Sequence, residues 1–179
     1  MLPRLKVRAG HSGDIARCRD IDLATQDQFV DAGHAEFGKM GVIPDGPAER
    51  AVEEGRILVA EFDGDVVGWV FLTRSEGELC IGQIAVSPSM QRRGIGTALI
   101  ARIIIDARVR REESIVLSTQ SDIEWNQPWY EQLGFEIIPP EQWTNDMRTV
   151  AREQGEAGLD WNTRVHMRLR ISGVPNTAE

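Results

Sequence analysis

The stretch QRRGIG, residues 91–96, combines residue types that bind phosphate. It follows the apolar run IGQIAV and precedes the amphipathic segment TALIARIIIDARVRR, which predicts a turn from a strand into a helix. The first turn of a helix presents backbone N–H groups without internal partners at the positive end of the helix dipole. Glycines let an anion approach the backbone closely, and arginines supply forked donors. The spacing therefore predicts a site for a phosphate or pyrophosphate group.

Two other phosphate-binding motifs do not fit this stretch. A P-loop requires a Lys-Ser or Lys-Thr pair after its second glycine, whereas Thr97 and Ala98 follow Gly96. A dinucleotide-binding turn requires a third glycine, and Leu99 stands at that position. Taken alone, the stretch also fits a glycine-rich turn with solvated arginines and no ligand.

Hydrophobic periodicity predicts the element order βααβββαβαβαβ around this turn. Residues 56–74 form a predicted hairpin about Asp63-Gly64, a pair typical of tight turns. Residues 78–87 are apolar on both faces, which predicts a central strand. An antiparallel front half therefore leads into a strand–helix–strand crossover, and the predicted fold is α/β with a mixed sheet flanked by helices.

The predicted domain organisation is one domain over residues 1–171 with a C-terminal tail over 172–179. The alternating segment TRVHMRLRI predicts a last strand at a sheet edge, through which a homodimer is plausible.

Composition excludes several function classes. The net charge of −8 opposes binding to nucleic acid phosphates. No apolar run is long enough to span a membrane, and the N-terminal residues lack a signal-peptide pattern, so a cytoplasmic location is expected. The two cysteines, Cys18 and Cys80, and the three histidines are scattered without ligand spacing, so no metal is expected.

Two motifs in order resemble the GNAT superfamily of acyl-CoA-dependent N-acyltransferases. IAVSPSMQRRGIGTALI resembles its acyl-CoA signature at five matching positions, namely Val86, Pro88, Gln91, Gly94 and Gly96. The later segment WYEQLGFEII resembles its Tyr-x-x-x-Gly-Phe motif, and three residues match, namely Tyr130, Gly134 and Phe135. The predicted strand order is also similar to that of the family over roughly residues 4–171.

This resemblance implies a binding mode for acetyl-CoA as co-substrate. The pyrophosphate would bind backbone N–H groups of the turn and helix start, formed by Gln91, Arg92, Arg93, Gly94, Ile95, Gly96 and Thr97. The pantetheine arm would pair like a short strand with Ile84, Ala85 and Val86, helped by a bulge near Gly82 and Gln83. Asn126 would contact the pantetheine, although it stands closer to Tyr130 than is usual in the family.

The resemblance also implies catalytic roles. Tyr130 matches the general acid that protonates the departing coenzyme A thiolate. Many family members carry a carboxylate base just before the Ile-Ala-Val segment, whereas this chain has Gln83 there. Glu78, on the strand face of Gly82 and Ile84, is the predicted alternative base, and a solvated strand-end glutamate is the competing interpretation. A surface role is expected for His34.

The sequence thus predicts an N-acetyltransferase that joins acetyl-CoA to a primary amine by direct attack in a ternary complex. The acceptor is a small-molecule or peptide amine. The alternatives are a protein N-terminal or lysine acetyltransferase and, from another class, a non-catalytic acyl-CoA-binding sensor.

Overall fold

A computed structural model describes residues 5–171, so the predicted tail over 172–179 lies outside the described residues. The chain packs as two compact units. The first contains Met1–Leu72 and Gly82–Arg102, and the second contains Thr73–Ile81 and Ile103–Glu179. The single-domain organisation stays a prediction.

The predicted element order is confirmed by the structure. In chain order the elements are β1 (Leu5–Ala9), α1 (Ile15–Asp31), α2 (Asp45–Glu53), β2 (Ile57–Phe62), β3 (Asp65–Ser75), β4 (Glu78–Val86), α3 (Ile95–Val109), β5 (Ser114–Gln120), α4 (Gln127–Gln132), β6 (Glu136–Ile138), α5 (Asn145–Glu156) and β7 (Arg164–Arg170). The hydrogen-bonded strand order is β1-β2-β3-β4-β5-β7-β6, a mixed sheet as expected.

The first unit contains the antiparallel front half of the sheet. β1 pairs with β2, and β2 pairs with β3 through the predicted hairpin. Asp63 and Gly64 both have positive φ, 50° and 96°, which is the backbone geometry that a tight two-residue hairpin turn requires. A register shift between Ala60 and Glu61 interrupts the β2–β3 ladder.

The second unit contains the parallel pair and its antiparallel continuation. β4 pairs in parallel with β5 over three residue pairs, the last of which is Ile81 with Leu117. β5 pairs with β7 along its whole length, and β7 pairs on its other side with β6. The prediction that the last strand forms a sheet edge is therefore wrong, because β6 returns after α4 and covers it, with Glu136 opposite Arg168.

The core of the first unit lies where α1 and α2 pack on the antiparallel strands. Its buried members are Cys18, Ile21, Ala51, Ile57, Val59, Trp69 and Ala85. The residues between α1 and α2 include a 3-10 helix over Ala35–Lys39. His34, expected at the surface, is buried and places its Nδ1 3.1 Å from Glu36 Oε1. Phe29 and Phe37 stack beside it at 4.4 Å between ring centroids, which explains the burial.

A second small cluster fixes the segment around α5 in the second unit. Val116, Ile138 and Met147 are buried together, and Trp143 packs against them. Trp143 Nε1 donates to the Ile138 carbonyl at 2.9 Å. Thr144 caps α5 by accepting from the Met147 N–H at 3.2 Å. This late helical segment is therefore attached to β5 and β6 by packing and hydrogen bonds.

α3 follows the predicted amphipathic pattern. Its buried stripe comprises Ile95, Leu99, Ile100, Ile103 and Ala107. The side chain of Ile105, by contrast, is 56% exposed. The apolar period of the sequence thus matches the buried face of the helix.

Leu99→Ala should destabilise the protein strongly, because Leu99 is fully buried and its truncation leaves a cavity. We expect a loss of about 2–5 kcal/mol in the free energy of unfolding, measured by urea denaturation. Ile105→Ala on the exposed face of the same helix is the control, with an expected change of about 0.5 kcal/mol or less. Equal losses in both variants would contradict the packing described for α3.

Candidate active site

The chain passes from β4 into α3 through a tight turn over residues 91–94. Arg92 and Gly94 have positive φ, 57° and 78°. The first intrahelical hydrogen bond runs from the Ala98 N–H to the Gly94 carbonyl at 2.9 Å. The predicted turn from strand to helix is therefore present, and the left-handed conformation at Gly94 explains why a glycine stands there.

The backbone N–H groups from Arg92 through Thr97 have no hydrogen-bond acceptor among the residues that the structure describes. They lie at the N-terminus of a helix of 15 residues. The positive end of the helix dipole adds to the attraction for an anion. Arg92 and Arg93 are exposed beside them. The arrangement can hold a phosphate or pyrophosphate group.

The side chain of Gln91 faces the protein rather than the rim of the turn. Its Nε2 donates to the Val86 carbonyl at 3.0 Å and to Gln28 Oε1 at 2.8 Å. The Ser87 N–H donates to the Val67 carbonyl at 2.8 Å. The end of β4, the start of the turn and α1 are thereby joined within the first unit.

The segment proposed for pantetheine precedes this turn. Ala85 is buried, whereas Ile84 and Val86 are partly exposed. A Cβ at Gly68 on β3 would lie 3.2 Å from the Ala85 carbonyl oxygen and 3.2 Å from Ile95 Cγ2. Glycine at this position therefore lets the strand and the start of α3 approach closely.

Tyr130 lies on α4 in the second unit and is 6% exposed. Its ring contacts those of Trp129 and Phe135, with centroid distances of 4.7 and 5.5 Å. No residue within 5–171 forms a hydrogen bond with its hydroxyl group. Burial raises the pKa of Tyr130 far above its ordinary value, so that the phenol is protonated at neutral pH.

Asn126 is the residue that precedes α4. Its carbonyl oxygen accepts from the N–H groups of Trp129 and Tyr130, each at 3.0 Å. Its side chain makes no capping hydrogen bond. The contact of Asn126 with pantetheine stays a prediction.

Glu78 is held by a cation in the second unit. Arg168 donates to both carboxylate oxygens at 2.9 Å, and the Ser114 hydroxyl also donates to Oε1. Burial alone would raise the pKa of Glu78, but these hydrogen bonds and the charge of Arg168 outweigh burial and lower it. The role of Glu78 as base stays a prediction, and this environment makes its carboxylate a weak proton acceptor.

The structure also reveals a polar pair that the sequence analysis missed. Gln83 Nε2 donates to Asp22 Oδ1 at 2.7 Å, and Asp22 is 6% exposed on α1. The signal available in the sequence was spacing, since Asp22 falls in line with Ile15 and Cys18 on the buried face of the helix. A carboxylate on the apolar face of a helix is unusual, because aspartate side chains are almost never fully buried unless they are paired.

Residues 5–171 contain neither a metal-binding cluster nor a membrane-spanning helix. No group of three or more His, Cys, Asp or Glu side chains there has an arrangement that could hold a metal ion. None of the helices described has the length and apolar character needed to cross a membrane.

Comparisons with known proteins show which families and folds this chain is similar to. Residues 53–137 match the family model described as acetyltransferase (GNAT) domain. The N-acetylglutamate synthase of Neisseria gonorrhoeae, solved with coenzyme A and N-acetyl-glutamate, superposes with a TM-score of 0.71 at 20% identity. The match covers 94% of this chain and 35% of the synthase, so this chain spans little more than a third of that protein.

Two further solved structures match along nearly their whole length. The ribosomal-protein-S18-alanine N-acetyltransferase of Escherichia coli has a TM-score of 0.61 at 15% identity, covering 98% of this chain and 99% of that one. The PaiA N-acetyltransferase of Thermoplasma acidophilum, solved with coenzyme A, has a TM-score of 0.68 at 10% identity, covering 93% and 99%. The chain therefore has the GNAT fold, and its residues 53–137 match the GNAT acetyltransferase domain.

Proposed function

We propose that the chain transfers the acetyl group of acetyl-CoA to a primary amine, which attacks the thioester directly while both substrates are bound. The observation that carries this proposal is the run of unpaired backbone N–H groups from Arg92 through Thr97 at the start of α3. Such groups at a helix N-terminus suit the pyrophosphate of coenzyme A. Arg92 and Arg93 would add charge at the rim, with Ile95 and Gly96 supplying backbone donors.

The pantetheine arm would then extend along β4. The parallel ladder between β4 and β5 ends at Ile81, four residues before Ala85. An extended amide chain can pair with strand backbone in place of a neighbouring strand. This supports the proposal that Ile84, Ala85 and Val86 bind pantetheine, with Asn126 as a further contact.

Tyr130 would supply the proton for the leaving group. A phenol that is protonated at neutral pH, with its hydroxyl unused by described residues, suits donation to a thiolate. The departing sulfur needs such a donor because the thiolate carries the full negative charge when the C–S bond breaks.

Direct attack is favoured over an acetyl-cysteine intermediate because both thiols are poor nucleophiles. Burial raises the pKa of Cys18 to about 12 and that of Cys80 to about 11. Each thiol is therefore neutral near pH 7, whereas the thiolate is the nucleophilic form. Two free cysteines also fit the cytoplasmic location that forms part of the proposal.

The test of this function is acetyl-CoA turnover with a panel of amines, read as release of free coenzyme A thiol. The panel contains spermidine, L-lysine, L-glutamate and a peptide with N-terminal alanine. L-Glutamate is included because one structural relative is solved with N-acetyl-glutamate, and the peptide because another is named a ribosomal-protein-S18-alanine N-acetyltransferase. We expect amine-dependent thiol release with at least one acceptor. Binding of acetyl-CoA without turnover of any amine would support a non-catalytic sensor instead.

Gly94→Ala should weaken coenzyme A binding. An alanine side chain strains the left-handed backbone at Gly94 and adds a Cβ where the anion approaches. Coenzyme A should raise the melting temperature of the wild type, and this rise should be much smaller in the variant. Gly55→Ala is the matched control, since Gly55 also has positive φ, 66°, and open space at its Cβ. An undiminished rise in Gly94→Ala would contradict the proposed site.

Tyr130→Phe should reduce kcat while leaving coenzyme A affinity unchanged, because only the proton donor is removed from a packed ring. General-acid catalysis contributes on the order of 10²–10⁴-fold, which sets the expected fall in kcat. The measurement is steady-state turnover with the best amine of the panel, together with the melting-temperature rise on adding coenzyme A. A kcat within about a factor of two of wild type, with chemistry rate-limiting, would remove Tyr130 from this role.

A further inference from the structure

Asp22 is a buried carboxylate whose charge no described side chain neutralises. Two carboxylic acid residues are buried within residues 5–171, Asp14 and Asp22, and each is 6% exposed. Asp14 pairs with Arg8, whose Nη1 lies 2.7 Å from Asp14 Oδ2. Asp22 forms no ion pair with any residue in the described part of the chain. Burying a charge without a counter-charge costs free energy. Carboxylates in such surroundings occur preferentially at functional sites.

A second polar group lies unsatisfied near the same carboxylate. The indole Nε1 of Trp69 on β3 is buried and completes no hydrogen bond with any described residue. It is nevertheless close enough to Asp22 to lower the pKa of the carboxylate. The polar neighbours of the Asp22 carboxylate, Gln83 and Trp69, are thus both neutral, and no described cation balances its charge.

The Asp22 carboxylate lies next to the segment of β4 assigned to pantetheine. The Gln83 amide that donates to Asp22 belongs to the residue directly before Ile84. Gln83 is exposed, whereas Asp22 lies behind it. A group that reaches the Gln83 amide on β4 would therefore come near the Asp22 carboxylate, which lies 2.7 Å from Gln83 Nε2. All of these residues belong to the first unit.

We propose that Asp22 binds the ammonium group of the acceptor and takes up its proton, so that a cationic primary amine supplies the counter-charge that the fold lacks. The proposal rests on the proposed acetyl transfer and names its acceptor class. It places the general base on α1 and not at Glu78, because the Glu78 carboxylate already forms an ion pair with Arg168.

The protons balance in this step. One proton passes from the ammonium nitrogen to a carboxylate oxygen of Asp22, and the neutral amine attacks the thioester carbonyl carbon. The C–N bond forms, the C–S bond breaks, and the sulfur leaves with the electron pair and takes the Tyr130 proton. The nitrogen then loses a second proton, which restores Tyr130 through solvent, while Asp22 releases its proton to solvent. One proton in total is released per amide formed.

The environment of Asp22 suits a base that works near neutrality. Burial raises its pKa to about 6, against the opposing effect of the hydrogen bond from Gln83 and of the Trp69 indole. The carboxylate is therefore ionised at pH 7 but still accepts a proton readily.

The groups that face Asp22 are neutral. The side chain that faces Asp22 from β4 is Gln83, and the one from β3 is Trp69. Cys18, one turn earlier on α1, is a neutral thiol whose pKa is about 12. α2 and β2 contribute apolar side chains to the adjoining cluster, Ala51 and Val59. A pH dependence in this range is thus assigned to Asp22 itself.

The ionisation of Asp22 also makes the stability of the native state depend on pH. The native pKa of Asp22, about 6, is above the ordinary value of 3.8 for an aspartate, so the native state binds more protons than the unfolded state between these values. Stability therefore falls as pH rises through this window and stays lower above it. A neutral, isosteric asparagine should remove this loss.

The experiment compares Asp22→Asn with wild type in pH profiles of kcat/KM, using the panel amine with the highest turnover. We expect kcat/KM near pH 7 to fall on the order of 10²-fold, and the acidic limb near pH 6 to disappear. The melting temperature of Asp22→Asn without ligand should exceed that of wild type above pH 7, with the gap closing towards about pH 4. Its rise on adding coenzyme A should be unchanged.

Two further variants separate this role from simple packing. Asp14→Asn removes the paired buried carboxylate, so it should lower the melting temperature at neutral pH and keep the acidic limb. Gln83→Leu removes a hydrogen bond that stabilises the Asp22 carboxylate, so the acidic limb should move to higher pH.

Each outcome decides the proposal. Turnover by Asp22→Asn with an unchanged rate and acidic limb overturns the role of Asp22 but leaves the acetyltransferase function standing. Loss of the limb in Glu78→Gln instead of Asp22→Asn assigns the base to Glu78. A wild-type protein that binds coenzyme A but acetylates no amine of the panel overturns the proposed function, and the role of Asp22 with it.

Discussion

The fold depends on a close approach between β3, the end of β4 and the start of α3. Gly68 leaves room for the Ala85 carbonyl and for Ile95, and the Ser87 N–H reaches the Val67 carbonyl. The chain can turn sharply only because Arg92 and Gly94 adopt left-handed backbone conformations. At the start of α3 that follows this turn, the first N–H groups have no acceptor among residues 5–171. The local geometry that allows the turn is thus the same geometry that makes it suitable for an anion.

Local patterns in the sequence predicted the order of the elements and the tight turn from β4 into α3, because both follow from short-range spacing. The apolar period fixed the buried face of α3, and Asp63-Gly64 fixed the hairpin. The edge position of the last strand was predicted wrongly because pairing between β6 and β7 is a long-range choice that no local pattern encodes. The Gln91 side chain, likewise, bonds to Gln28, which is distant in sequence.

The candidate base illustrates the same division between local and long-range information. Glu78 is a plausible base from strand alternation alone, but Arg168 comes from a strand that is remote along the chain. Asp22 is the opposite case to Glu78. Its place on the apolar face of α1 was visible in the sequence. Its suitability as a base depends on burial without a cationic partner among the described residues, which only the packed structure reveals.

The shortness of β6 has a consequence for how the protein meets other molecules. One outer strand of the sheet has only three residues, Glu136–Ile138, and the strand behind it is already paired on both sides. A neighbouring chain can therefore form few backbone hydrogen bonds along this margin, which limits fibril-like stacking at high concentration. Ile137 is exposed, but it lies on a strand too short to template the addition of strands from other chains.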